Sequence, residues 1–167
     1  METYETKHVF VTSNNVPGIT NTSEYTVYLP NFIKDIVRVE VLSATYWVPK
    51  VSVGTYLDIE ELRNPVAILT ASGTASLQSV SSSAFAVLPG ANSPFTAGYG
   101  NYYSDAYYPI VINYPYPLQK LDRLTVRWTD VSGALMNMGT NDNSFLLKVY
   151  TLRQNLGARP HAARPDR

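Results

Sequence analysis

Apolar and polar residues alternate at a period of two through most of this chain, and no long stretch keeps a helical period. Side chains on a strand point to opposite faces in turn, so the pattern describes sheets with one buried and one wet face. Ile36 to Val48 is the longest case, with Val37, Val39 and Val41 set against Arg38 and Glu40. Leu124, Val126 and Trp128 alternate with Thr125 and Arg127, and Phe145, Leu147 and Val149 repeat the scheme. Further strands are predicted over Lys7–Thr12, Glu24–Leu29, Thr55–Glu61, Ala84–Leu88 and Tyr107–Tyr114, with Val66–Leu69 as one more short candidate. Leu57 and Ile59 should face inward, Asp58 and Glu60 outward. Gly, Pro and Asn punctuate the intervals, at Asn14 to Gly18, Pro30-Asn31, Asn64-Pro65, Pro89-Gly90 and Pro115 to Pro117. Thr70–Ser83 is dominated by Ser, Ala, Thr and Gly and reads as a low-complexity loop. Ala91–Ala106 reads as a long exposed loop, with Gly98-Tyr99-Gly100 supplying flexibility. About eight short antiparallel strands and no helix predict an all-β, eight-stranded antiparallel jelly-roll sandwich in a single domain. Residues 1–23 are assigned to an N-terminal arm with a short strand, 24–153 to the jelly roll and 154–167 to a flexible basic C-terminal arm.

Composition sharpens this picture. The 167 residues are 45% hydrophobic, enough for a core, but only 16% charged, below the quarter usual in soluble domains. So few charges favour burial in an assembly, with a quiet neutral surface as the alternative. The 13 tyrosines fit two readings equally: a flat amphipathic ring suited to interfaces, or a good strand former. The net charge is zero, so nothing pulls the whole chain toward nucleic acid. From Arg153 onward four arginines stand with one aspartate, a net of +3 that leaves −3 elsewhere. Cysteine is absent, so stability must come from packing, which fits folding in a reducing compartment. The N-terminus resembles neither a signal nor a transit peptide, and no apolar run approaches a membrane span.

The catalytic vocabulary is nearly empty. His8 and His161 stand near opposite ends, too few and too far apart in sequence for a zinc set. Asp58, Glu60 and Glu61 form the densest acidic group; a glycosidase-like carboxylate pair and a solvated strand face both fit, and the second is the simpler. Asn141, Asp142 and Asn143 could serve calcium, but EF-hand spacing is missing. No nucleophile elbow, Walker loop or dinucleotide fingerprint occurs. Asn21-Thr22-Ser23 matches a glycosylation sequon in a chain without a secretory signal. Arg123 and Arg127 alternate on one strand face, where pairing with Asp122 and Asp130 accounts for them better than nucleic acid does.

Two segments carry a likeness. Tyr25-Thr26-Val27-Tyr28-Leu29-Pro30, followed by the run from Val37 to Ala44, resembles the start of single jelly-roll capsid proteins of nucleocytoplasmic large DNA viruses, which include penton-base and other minor capsid proteins. The run from Leu121 to Trp128, then Gly133, then Asn143 to Leu147, looks like that family's closing strand pair. The resemblance implies an assembly role, with no cofactor and no catalytic residue to carry over. It implies a penton forming a homopentamer, or a minor capsid protein between or beneath the major capsomers, in a virion assembled in the host cytoplasm. Partners would be the chain itself and the major and minor capsid proteins. No specific nucleic acid is implied, and the sequence offers nothing for membrane contact. The candidate assembly contacts are Tyr99, Tyr102 and Tyr103 in the Ala91–Ala106 loop and Arg153, Arg159 and Arg164 toward the tail; the Thr70–Ser83 loop is a further candidate surface. A reading from another class is a carbohydrate-binding jelly roll, with tyrosines stacking on sugar rings and Asp58 or Asn141 binding hydroxyls.

Overall fold

A computed structural model of the chain describes residues 4–14, 18, 20–49, 54–63, 68–71, 77–80, 84–89, 97–130 and 133–153. These residues are all-β apart from one 3-10 turn, Glu60–Leu62. The strands are β1 (Tyr4–Thr12), β2 (Glu24–Ile33), β3 (Ile36–Val48), β4 (Gly54–Ile59), β5 (Ile68–Ala71), β6 (Leu77–Val80), β7 (Ala86–Pro89), β8 (Gly98–Tyr103), β9 (Ile110–Leu118), β10 (Leu121–Thr129) and β11 (Ser144–Leu152). One sheet runs β1-β11-β3, with β8 and β9 both on the far edge of β3; the other runs β2-β10-β4-β7. Every pairing is antiparallel. β8 pairs with Ser43–Val48 and β9 with Ile36–Val41, so the two are one strand lane interrupted at residues 104–109. Counted as lanes, each of these two sheets has four; β5 and β6 form a separate pair, β4 and β7 lie side by side in one sheet, and the other consecutive lanes cross from sheet to sheet as in a jelly roll.

The expected alternation builds the core. Leu124, Val126 and Trp128 of β10 and Phe145, Leu147 and Val149 of β11 are all buried. Trp128 stacks on Tyr46 of the opposite sheet at 5.4 Å and meets Phe145 edge-on at 6.2 Å. Three large rings thus tie the two layers at their centre, an offset and edge geometry that aromatic quadrupoles favour. Met136 and Met138, from the segment after β10, close one end of the core.

Several expectations need correction. Val37 does not join Val39 and Val41 inside; Ile36 does. Against β11, Arg38 pairs with Tyr150 and Ile36 with Thr151, so Val37 is an extra residue in β3, and an extra residue in a ladder reverses the facing of its neighbours. Asp58 is not solvated: only 7% of it is exposed, and Arg63 holds both its carboxylate oxygens at 3.0 and 2.7 Å. Glu60 lies in the 3-10 turn beyond the strand. β5 takes in Ile68 and Leu69 of the expected Val66–Leu69 strand and runs into the Ser-rich stretch, where β6 pairs with it antiparallel, because backbone ladders do not require bulky side chains. Gly98–Tyr103, inside the expected Ala91–Ala106 loop, is strand β8, and β9 runs on through Pro115 and Pro117, which an edge strand tolerates. β1 pairs with β11 along its whole length, so the sandwich takes in Tyr4–Thr12 from the segment assigned to an arm.

Candidate assembly surface

The sandwich has two lateral sides, each where one edge of both sheets comes together. On one side are β1 and β2. On the other are β7 and the β8–β9 lane, which touch across the layers.

The β1–β2 side is an open groove of about 430 Å³. Inward-facing Val9, Val11, Val27 and Leu29 line it. Its rims are exposed aromatics: Phe10 is 66% exposed and Tyr28 72%, and Phe32 is exposed beside them. Lys34 Nζ lies 4.9 Å from the centre of the Phe32 ring, a cation–π distance. Lys7 and His8 also line the groove, and among the described residues no carboxylate does. Sequence reasoning missed these residues. The available signal was an aromatic on the polar phase of an edge strand: Phe10 follows Thr6 and His8, and Tyr28 follows Glu24 and Thr26.

The opposite side is built from a segment with unusual chemistry. Between Ala84 and Leu118 the sole charged residue is Asp105, and seven of the chain's 13 tyrosines fall there. Three of the seven stitch the side together. Tyr108, in the turn between β8 and β9, donates its hydroxyl to Val87 O of β7 at 2.6 Å, and Tyr114 of β9 donates to Leu62 O of the 3-10 turn at 2.9 Å. Tyr102 donates to Tyr108 O at 2.9 Å and accepts from the Ile110 amide at 3.1 Å, which pins the 104–109 turn between β8 and β9. Burial holds the phenols of Tyr102, Tyr108 and Tyr114 above their ordinary range, because a phenolate would lose its water there. The remaining surface is ring: Tyr99, Tyr103 and Tyr107 are exposed, and Tyr116, where β9 bulges away from β3, is 84% exposed.

The candidate contacts therefore divide. Tyr99 and Tyr103 are exposed, with Tyr99 edge-on to Trp47 at 5.1 Å. Tyr102 is not a contact: it is fully buried, since in β8 it points opposite to its two neighbours. Arg153 is exposed just past β11. Arg159, Arg164, His161 and the rest of 154–167 lie outside the described residues. Gly98-Tyr99-Gly100 is strand, not flexible loop. A Cβ on Gly100 would lie 2.6 Å from the ring of Tyr46, so glycine is there for close packing.

The other candidate chemistry is structural as well. Glu61 accepts from the Thr125 amide and hydroxyl and pairs with Arg123 at 3.1 Å; Arg127 pairs with Glu24 at 3.1 Å. Both partners differ from the expected Asp122 and Asp130, because the 3-10 turn and the neighbouring strand β2 bring Glu61 and Glu24 to the face of β10 that carries the arginines. Asn143 is buried at the centre of a hydrogen-bond network that uses its side-chain oxygen twice, so it does not stand free for calcium; Asn141 donates its side-chain amide to Met138 O. His8 is exposed on β1. Among the described residues no group of three or more His, Cys, Asp or Glu converges on one point, and no helix is long and apolar enough to cross a membrane. A larger concavity, about 470 Å³, opens on the outer face of the first sheet. Its Arg38 stacks on Tyr150 at 4.8 Å and pairs with Glu40 at 3.5 Å, so its charge is already answered.

No known family model matches the chain, and no curated protein sequence matches it either.

Proposed function

We propose that this chain is a structural subunit of an icosahedral virus capsid, the vertex or penton protein, and that it assembles as a pentamer. It acts by shape and contact, with no turnover and no cofactor. One observation carries the reading: a lateral side of the jelly roll nearly free of charge and crowded with tyrosine, facing away from an open apolar groove on the other side. Interface centres are depleted in charge and enriched in aromatic residues. A side that differs from its opposite suits heterologous contacts, which close into a ring when the rotation between neighbours fits. The likeness of Tyr25–Pro30, Val37–Ala44 and Leu121–Trp128 to single jelly-roll capsid proteins points the same way. The same surfaces would serve a minor capsid protein between or beneath the major capsomers, with major and minor capsid proteins as further partners. The place of action is the virion, assembled in the host cytoplasm.

Mass photometry and negative-stain imaging of the purified chain test the proposal. A discrete ring, fivefold in projection, is the expected result. A monomer at every concentration, combined with specific retention on a glycan array, would replace the assembly reading with a carbohydrate-binding one.

A further inference from the structure

We infer that the ring contact, on the assembly reading above, sets the tyrosine side of one subunit into the β1–β2 groove of the next, with Asp105 of one facing Lys7 and His8 of its neighbour. The occupant of the groove is a second copy of this chain. Three features on opposite sides of one molecule fit together.

The first is charge. Among the described residues the groove is lined by Lys7 and His8 and by no carboxylate, while Asp105 is the single charge of the segment 84–118 that forms the other side. Asp105 has no ion-pair partner among the described residues and stands exposed in the 104–109 turn. A twofold contact of either side with itself would bring like charges together, at a cost; the heterologous contact brings opposite ones together.

The second is apolar form. The groove is concave, floored by valine and leucine and rimmed by Phe10, Tyr28 and Phe32. The other side exposes the rings of Tyr107 and Tyr108 on the 104–109 turn and of Tyr116 on the β9 bulge. Tyrosine gives large contact area for little lost rotamer freedom.

The third is the sheet edges. Among the described strands, β1, β2, β7 and the β8–β9 lane each end a sheet. Lys7 sits on the inward phase of β1, with Val9 and Val11, and inward charges on edge strands oppose direct strand addition. The contact is therefore made by side chains across the edges, not by extension of a sheet.

The chain has no cysteine, so engineered thiols report alone. Lys7→Cys and Asp105→Cys are prepared as separate surface variants, mixed, and treated with a short bismaleimide. A cross-linked dimer in the mixture, and in neither variant by itself, is expected. The double variant should give a ladder that ends at the ring number. Dimers from Lys7→Cys alone or from Asp105→Cys alone would mean a side meets itself and would overturn the inference. So would the absence of cross-linking in a mixture that mass photometry shows to be assembled; the assembly reading would survive that result. A wild-type chain that remains monomeric throughout removes both. As a second arm, Asp105→Lys should lose the ring and Lys7→Glu in the same chain should restore it.

Discussion

Asn143 shows how much one polar side chain can organise. It is 1% exposed, and every polar atom it brings inside is used. Its Oδ1 accepts from Tyr25 Oη at 2.6 Å and from Trp128 Nε1 at 3.1 Å; its Nδ2 donates to Thr22 O at 2.8 Å; its amide donates to Ser13 Oγ at 2.9 Å. The loop before β2, the start of β11 and the inner face of β10 are thereby locked to one another. Asn143→Ala would leave a phenol, an indole N–H and a carbonyl buried without partners. Unpaired buried groups cost about 1–3 kcal/mol each, with partial relief as the site relaxes. A loss of about 3 kcal/mol in urea denaturation is expected, with the fold retained by circular dichroism. Tyr25→Phe removes one donor only and should cost about 1 kcal/mol in the same assay.

At the scale of the element, the β8–β9 lane is the part whose form its composition conceals. Gly100 faces the ring of Tyr46, which is itself held between Trp128 and a hydrogen bond to Pro89 O. The ring has nowhere to move. Gly100→Ala should therefore destabilise by about 2 kcal/mol, the usual cost of overpacking. Gly98→Ala, two residues earlier on the same strand with open space at its Cβ, should change thermal stability little. The interruption of the lane depends on Tyr102, whose hydroxyl holds the Ile110 amide. Tyr102→Phe should leave the core packed and the 104–109 turn loosened. Hydrogen exchange reads this directly: the Ile110 amide should exchange faster, while amides of β10 and β11 keep their protection.

For the whole molecule, the tyrosines set the response to alkali. Burial, above all, raises the phenols of Tyr25, Tyr46 and Tyr114 beyond their ordinary value of about 10. The unfolded chain releases these protons near pH 10, while the folded chain still holds them. Above that point the folded state binds more protons than the unfolded state, so stability falls as pH rises. No loss from these groups is expected between pH 7 and 9. A progressive loss should begin near pH 10, followed by tryptophan fluorescence in a urea series at each pH. Tyr114→Phe should flatten the alkaline limb, since it takes one such proton out of the balance.

The period-two pattern was enough to predict sheets, their antiparallel class and most of the core, because burial on one face of a strand imprints itself locally on every second residue. The inward set of β10 and β11 follows from it directly. The sequence by itself also determined that no disulfide holds the fold and that few charges cover it. Only the tertiary structure decided where the alternation slips. Ile36 replaces Val37 inside because a partner strand, distant in sequence, imposes a register shift. It likewise decided that Gly100 makes room for a ring more than fifty positions earlier in the chain, that Asp58 is held by Arg63, and that Tyr102 is core while Tyr99 and Tyr103 are surface. The same holds for the two lateral sides: Phe10 and Tyr28 meet at one groove, and Val87 and Tyr108 at the opposite edge, only after the strands have been dealt between the two layers. Periodicity records which face of its own strand a residue occupies; which strand lies beside it depends on the path of the whole chain.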